Sequence, residues 1–70
     1  MRHTPVSSSH LRSVGYDPSA KVLEVEFNDG ALYRYYGVPA AVHQGLMGAE
    51  SHGSYLHRHI KGQYRYEKLS

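Results

Sequence analysis

The chain has 70 residues, no cysteine and a formal net charge of +2. A chain of this length forms at most one domain, and the lack of cysteine excludes disulfide bonds and thiolate metal sites. No apolar run approaches the roughly 20 residues of a membrane span, and residues 1–5 lack the apolar core of a signal peptide. We therefore expect a single soluble domain of the reducing cytoplasm, without membrane association.

The first half of the chain predicts strands. Residues 1–8 are polar, so we expect a loosely ordered segment there and a folded domain over residues 9–70. Three strands of an antiparallel meander are predicted at about 10–16, 21–27 and 31–37. The middle strand is the clearest, because its apolar residues alternate with glutamates at period two, whereas the alternation in the first strand is imperfect.

The turn between the second and third strands decides how they face each other. The sequence Asn-Asp-Gly at 28–30 predicts a three-residue hairpin loop closed by glycine in the left-handed region. This loop length turns Tyr33 and Tyr35 to the apolar side of the sheet and pairs Arg34 with Glu24 on the other side. A two-residue loop would instead put both tyrosines beside the glutamates. We favour the longer loop, because it keeps the rings with aliphatic side chains.

Two short helices are predicted to follow, at about 39–48 and 52–60. Pro39 suits the first position of a helix, where its missing N–H costs nothing, and Ser51 can cap the second helix. Residues 63–66 then either lay their tyrosines back on the core or return as an edge strand. The predicted fold is α+β: a three-stranded antiparallel meander packed on one face by two C-terminal helices.

The residues offer no recognisable catalytic set. Residues 7–10, Ser-Ser-Ser-His, form a polar stretch without the context of a nucleophile elbow. His52, His57 and His59 are the densest group of candidate metal ligands, but His57 and His59 diverge by about 200° on a helix. Zinc-binding helices present their ligands four residues apart. We therefore expect no enzymatic activity, no cofactor and no metal site.

The C-terminal end is basic. Residues 51–70 carry four of the eight basic side chains and one acidic side chain. Basic residues interleaved with tyrosines suit a phosphate-bearing partner, although an ordinary solvated surface can carry the same charges. Aromatic rings on a sheet can also stack single-stranded bases. With Tyr33 and Tyr35 assigned to the core, the candidate nucleic-acid contacts are Arg34, Tyr36, Arg58, Lys61, Tyr64, Arg65, Tyr66 and Lys68.

Several motifs occur together in one order along the chain, at residues 6–9, 14–17, 23–30, 33–39, 51–55 and 60–64. Over essentially the whole chain they resemble the KTSC domain family, whose central Tyr-x-Tyr corresponds to Tyr33 and Tyr35. The family takes its name from the C-terminus of some lysyl-tRNA synthetases and also occurs as a stand-alone bacterial or phage-associated protein. Its role is not established, and the synthetase association implies RNA as a partner. The family usually has Asn-like or Lys-like residues in place of His57 and His59.

Two functions remain open from the sequence. The first is a non-enzymatic accessory module that binds tRNA or single-stranded RNA. The alternative is a protein-interaction module that uses the open face or an exposed edge of the sheet. In either case we expect a monomer or a weak dimer.

Overall fold

The computed structural model describes all 70 residues, which form one five-stranded sheet and two helices. The sheet is antiparallel throughout, and its strands lie side by side in chain order. Neither helix is long and apolar enough to cross a membrane. The elements are β1 (His3–Pro5), β2 (Leu11–Asp17), β3 (Val22–Phe27), β4 (Leu32–Tyr36), α1 (Ala40–Gly48), α2 (His52–His59) and β5 (Tyr66–Lys68).

The predicted α+β class and the three central strands are confirmed, but a total of three strands is two too few. Each missed strand is an edge strand of only three residues. Such a strand is too short to show a period of two, and its conformation depends on pairing with a neighbour. The segment that was expected to be loosely ordered contains β1, which pairs with β2. The tail returns as β5 along β4, which was one of the two alternatives for it.

The predicted three-residue loop between β3 and β4 is present. The Phe27 amide donates to the Ala31 carbonyl at 2.8 Å, and the Gly30 amide donates to the Phe27 carbonyl at 2.9 Å. Gly30 has a φ of +93°, in the region that favours glycine. The opposed pairs are Leu23 with Tyr35, Glu24 with Arg34 and Val25 with Tyr33.

A bulge in β2 explains the imperfect alternation of its sequence. The register with β3 shifts between Leu11 and Ser13, so Arg12 is the extra residue. Because of this insertion, Leu11 and Val14 both reach the core although they are three residues apart.

The core lies between one face of the sheet and the two helices. The Ser51 hydroxyl caps α2 by accepting from the Ser54 amide at 3.2 Å, so α2 begins where the sequence predicts. Pro39 is the extended N-cap of α1 instead of its first helical residue, so α1 begins one residue later than predicted. Each helix contributes a leucine that is completely or almost completely buried. The core residues are Leu11, Val14, Leu23, Val25, Tyr35, Val38, Leu46, Leu56 and Ile60.

Two glycine-to-alanine substitutions are predicted to change stability in opposite directions. Gly30→Ala should destabilise the protein by about 1–2 kcal/mol, because alanine is strained at positive φ. Gly48→Ala should stabilise it by up to about 1 kcal/mol, because a Cβ at this position of α1 meets no atom within 4 Å and alanine is the better helix former. Urea unfolding followed by circular dichroism measures both. A stabilising Gly30→Ala would contradict the hairpin geometry.

Candidate functional site

The sheet divides the candidate contact residues between its two faces. Arg34 and Tyr36 lie on the face that the helices leave open, and the Arg65 guanidinium lies 5.1 Å from the centre of the Tyr36 ring. Tyr66 and Lys68 pair in β5 with the positions of Tyr35 and Tyr33, so they lie on the helical face. The candidates therefore do not form one continuous surface.

On the open face, Arg34 is already paired. Its Nε and Nη2 donate to one carboxylate oxygen of Glu24 at 2.9 and 2.6 Å. The other oxygen of Glu24 is 2.8 Å from the ring nitrogen Nε2 of His3, a residue of β1. Glu24 itself is only 6% exposed. A buried carboxylate requires such partners, so the main interaction of Arg34 is the structural one with Glu24.

The network extends to a serine. The Nδ1 atom of His3 is 2.8 Å from the Ser13 hydroxyl, which donates to Glu26 at 3.0 Å. This brings serine, histidine and carboxylate together, a combination that the sequence did not indicate because it placed His3 outside the sheet. Ser13 is 6% exposed and its hydroxyl is bonded on both sides. It is therefore not presented as a nucleophile to a substrate.

Tyr36 also has partners within the chain. Its hydroxyl donates to Glu67 at 2.8 Å, while its ring packs against Arg65. The open face thus satisfies its polar groups internally and leaves little free hydrogen-bonding capacity for a ligand.

The partners of Glu24 lower the pKa of its carboxyl group. Burial by itself would raise the pKa of Glu24, but the hydrogen bonds from His3 and Arg34, together with the charge of Arg34, outweigh burial and lower the pKa below its ordinary value of 4.5. The ionised carboxylate is therefore the form that the folded protein stabilises.

The helical face carries a groove beside β4 and β5, which we call the tyrosine groove. Its volume is about 750 Å³. Three tyrosine rings cluster in it: the centre of the Tyr66 ring is 5.8 Å from that of Tyr33 and 5.9 Å from that of Tyr35. Tyr66 is 58% exposed, whereas Tyr35 is only 2% exposed. The groove is lined by Ser9, His10, Phe27, Asn28, Asp29, Ala31, Tyr33, Tyr35, Lys61, Gly62, Tyr66 and Lys68.

The charge along the tyrosine groove is positive. Lys61 and Lys68 line it, and neither forms a salt bridge. The ammonium of Lys61 lies 5.7 Å from the centre of the Phe27 ring. The one acidic residue in the lining, Asp29, accepts a hydrogen bond from the Ala31 amide at 3.0 Å and so belongs to the hairpin turn. The groove therefore combines exposed aromatic surface with two unpaired ammonium groups.

Two further candidates, Arg58 and Tyr64, do not line this groove. Arg58 lines a neighbouring depression of about 600 Å³, to which Lys61 and His10 also contribute. Tyr64 is half-buried and packs against the core. His10, Phe27 and the turn residues of the groove were not among the sequence candidates. The sequence does not indicate these residues, because they become neighbours only in the folded chain, where the β3–β4 turn and the segment after α2 lie together.

The histidines of α2 do not converge on one point. His52 is hydrogen-bonded through Nδ1 to the Leu46 carbonyl at 2.7 Å, and the His59 ring lies 4.5 Å from that of Tyr55. No three histidine, aspartate or glutamate side chains lie close enough together to hold a metal ion.

Glu24→Gln is predicted to lower the stability and to reduce its dependence on acid pH. Because the folded-state pKa of Glu24 lies below 4.5, its contribution is present above about pH 4.5 and is lost as the pH falls through the folded-state value. At pH 7 we expect a loss of about 2 kcal/mol, the range for hydrogen bonds to a charged group. Urea unfolding from pH 7 to pH 3 should show the two proteins converging at low pH.

Glu50→Gln is the matched control, since Glu50 is exposed and forms no salt bridge. It should track the unsubstituted protein at every pH. Asp17 also has a lowered pKa, through hydrogen bonds from Ser19 and Ala20, so some acid dependence persists in all three proteins. Parallel pH profiles for Glu24→Gln and the unsubstituted protein would contradict the role assigned to the Glu24 pair.

Comparisons with known proteins agree on one family. The family model described as the KTSC domain matches residues 7–64. An uncharacterized protein of Stutzerimonas stutzeri is 49% identical over 70 residues, covering 99% of each chain. A lysine–tRNA ligase of Nostoc sp. is 42% identical over 62 residues, which are 89% of this chain but 11% of the ligase.

A solved structure matches the fold as well. The crystal structure of the KTSC domain protein YPO2434 from Yersinia pestis superposes with a TM-score of 0.92 at 41% identity, covering 99% of this chain and 97% of that one. Its agreement extends over the whole sheet and both helices, not over a fragment. The resemblance seen in the sequence motifs is thereby confirmed, and this chain belongs to the KTSC domain family.

Proposed function

We propose that this KTSC domain is a non-enzymatic accessory module that binds RNA, either tRNA or a single-stranded segment, along the tyrosine groove. The observation that carries the proposal is the composition of this groove. Single-strand binding sites combine aromatic rings, on which bases stack, with cations that follow the phosphates. Tyr33 and Tyr66 supply the rings, and Lys61 and Lys68 supply the cations.

The free state of these cations supports the proposal. Arg34 is held by a buried carboxylate, whereas Lys61 and Lys68 have no acidic partner. A cation without an intramolecular partner can neutralise a phosphate without first breaking an ion pair. The helical face therefore replaces the Arg34 face as the main contact surface in this proposal.

The similarity to lysine–tRNA ligases points in the same direction. These ligases contain a segment similar to this chain, and their name states that they act on tRNA. A module carried by such an enzyme is close to RNA whenever the enzyme is bound to its substrate. The matching segment makes up 11% of the ligase length.

The protein-interaction alternative has a narrower physical basis. The two edge strands pair with their neighbours over three residues each, which leaves little edge for a further strand. The open face is occupied by its own ion pairs and hydrogen bonds. This alternative predicts instead that the chain binds a protein partner or a second copy of itself, and that this binding is insensitive to nuclease.

The double substitution Lys61→Gln, Lys68→Gln is predicted to weaken RNA binding. For single strands, log affinity falls with log salt with a slope of about −0.7 per phosphate contact. Losing two contacts should therefore make the slope shallower by about 1.4. Titration of fluorescent single-stranded RNA and of tRNA at several salt concentrations measures this.

The control is Arg2→Gln with Lys21→Gln, which removes the same charge from the opposite end of the sheet. Arg2 lines a depression near Tyr16 and Lys21 lies in the β2–β3 turn, both outside the tyrosine groove. The control should keep most of the affinity and the slope. Equal losses in both double variants would indicate nonspecific attraction by net charge, and absence of any salt-dependent binding would refute the proposed function.

A further inference from the structure

The floor of the tyrosine groove contains a polar atom without a protein partner. The Tyr35 side chain is almost entirely buried, yet its hydroxyl takes part in no hydrogen bond, and Tyr35 lines the groove. No buried side-chain nitrogen or oxygen lacks a partner in this structure, so this hydroxyl is not sealed off from solvent. The ring is fixed in the core while the hydroxyl opens into the groove.

Tyr35 is the only buried tyrosine of the seven, and two of the others bond through their hydroxyl. The Tyr16 hydroxyl donates to the Val38 carbonyl at 2.6 Å, and the Tyr36 hydroxyl donates to Glu67 at 2.8 Å. The buried ring holds the Tyr35 hydroxyl in one place, and no residue of the chain bonds it. The hydroxyl is thus a fixed hydrogen-bonding position on the floor of the groove, open to a ligand.

The protonation of this hydroxyl suits a donor. Burial raises the pKa of Tyr35 to about 12, with a further contribution from the neighbouring Tyr33 and Tyr66. At neutral pH the group is therefore the neutral phenol, which can donate one hydrogen bond and accept another.

We propose that the tyrosine groove holds one nucleoside phosphate, with the base against Tyr33 and Tyr66, a polar edge atom of the base on the Tyr35 hydroxyl, and the phosphate at Lys61 and Lys68. The nucleoside phosphate is either a free nucleotide or one residue of an RNA strand. In the second case the inference rests on the proposed RNA-binding function and narrows it to a single base-holding position.

The geometry of the rings decides how the base lies. A ring sandwiched between two others needs about 7 Å between their centres, twice the contact distance of carbon atoms. The three tyrosine rings are 5.8 to 6.4 Å apart, so they do not admit a base between them. The base instead lies on their accessible surface, most of which Tyr66 provides, with its edge toward the groove floor.

The size and charge of the groove suit the same ligand. A volume of about 750 Å³ is within the range of small-molecule sites, roughly 300–1,000 Å³. The two ammonium groups of Lys61 and Lys68 outnumber the one carboxylate in the lining, that of Asp29, so the lining carries a net positive charge. An anion with a flat aromatic part meets both features, whereas a cationic or purely apolar ligand meets only one.

The test is Tyr35→Phe, which removes the hydroxyl and keeps the ring. The probes are AMP, GMP, CMP, UMP, ribose 5-phosphate and single-stranded RNA hexamers of each base, titrated into the intact chain by NMR. For the base that forms the bond, we expect Tyr35→Phe to bind about five-fold more weakly, the effect of one neutral hydrogen bond. The salt dependence should not change, because no charge is altered.

Tyr16→Phe is the matched control. Its hydroxyl bonds the Val38 carbonyl, away from the groove, so the substitution should lower thermal stability and leave the affinity unchanged. Tyr35→Phe should keep the stability of the unsubstituted protein, because its hydroxyl has no partner to lose. This contrast separates a ligand-binding hydroxyl from a structural one.

The outcomes distinguish this inference from the proposed function. If RNA binding depends on Lys61 and Lys68 but is unchanged in Tyr35→Phe, the base-holding position is refuted and the RNA function stands. If nucleotides bind and shift the Tyr35 and Tyr66 resonances while RNA does not bind, the nucleotide site stands and the RNA function is refuted. If ribose 5-phosphate binds as tightly as the nucleotides, the contact with the base is refuted. If no probe binds, both proposals are refuted.

Discussion

The three-residue turn at residues 28–30 sets the register of β3 against β4, and the two faces of the sheet follow from that register. A shift of one residue would carry every side chain of β4 to the opposite face. Tyr35 would then leave the core, and Arg34 would enter it without the carboxylate that now pairs with it. The conformation of Gly30 is what allows the loop to have this length.

The register also places the ionised Glu24 where it needs partners from two other strands. Arg34 reaches it from β4 and His3 reaches it from β1, so one buried carboxylate joins strands on both sides of β3. Removing one partner would leave charge under-compensated, which costs more than the pair itself contributes. The open face is therefore the polar side of the sheet, and its ion pairs mainly stabilise the fold.

The helical face combines a buried centre with an exposed margin. The helices cover its centre and pack on the core, while the rings of Tyr33 and Tyr66 remain partly exposed beside β4 and β5. Tyr35 spans two environments: its ring fills the core, and the residue also lines the tyrosine groove. A residue can be both a core residue and a site residue when its apolar body and its polar tip lie in different environments.

Local chemistry in the sequence was enough to determine the central strands, the hairpin register and the start of α2, because each depends on neighbouring residues: the alternation around Val25, the glycine at 30, and the cap at Ser51. The sequence did not predict the edge strands, because three residues are too few to show an alternation of apolar and polar side chains. Pairing with neighbouring strands holds these residues in place. The pairing of Arg34 with Glu24 follows from the predicted hairpin register, but only the tertiary structure shows that His3 of β1 shares this carboxylate. It also decided that Lys61 joins Tyr66, because the segment after α2 folds beside β5. Those neighbours are distant in the chain, and only packing brings them together.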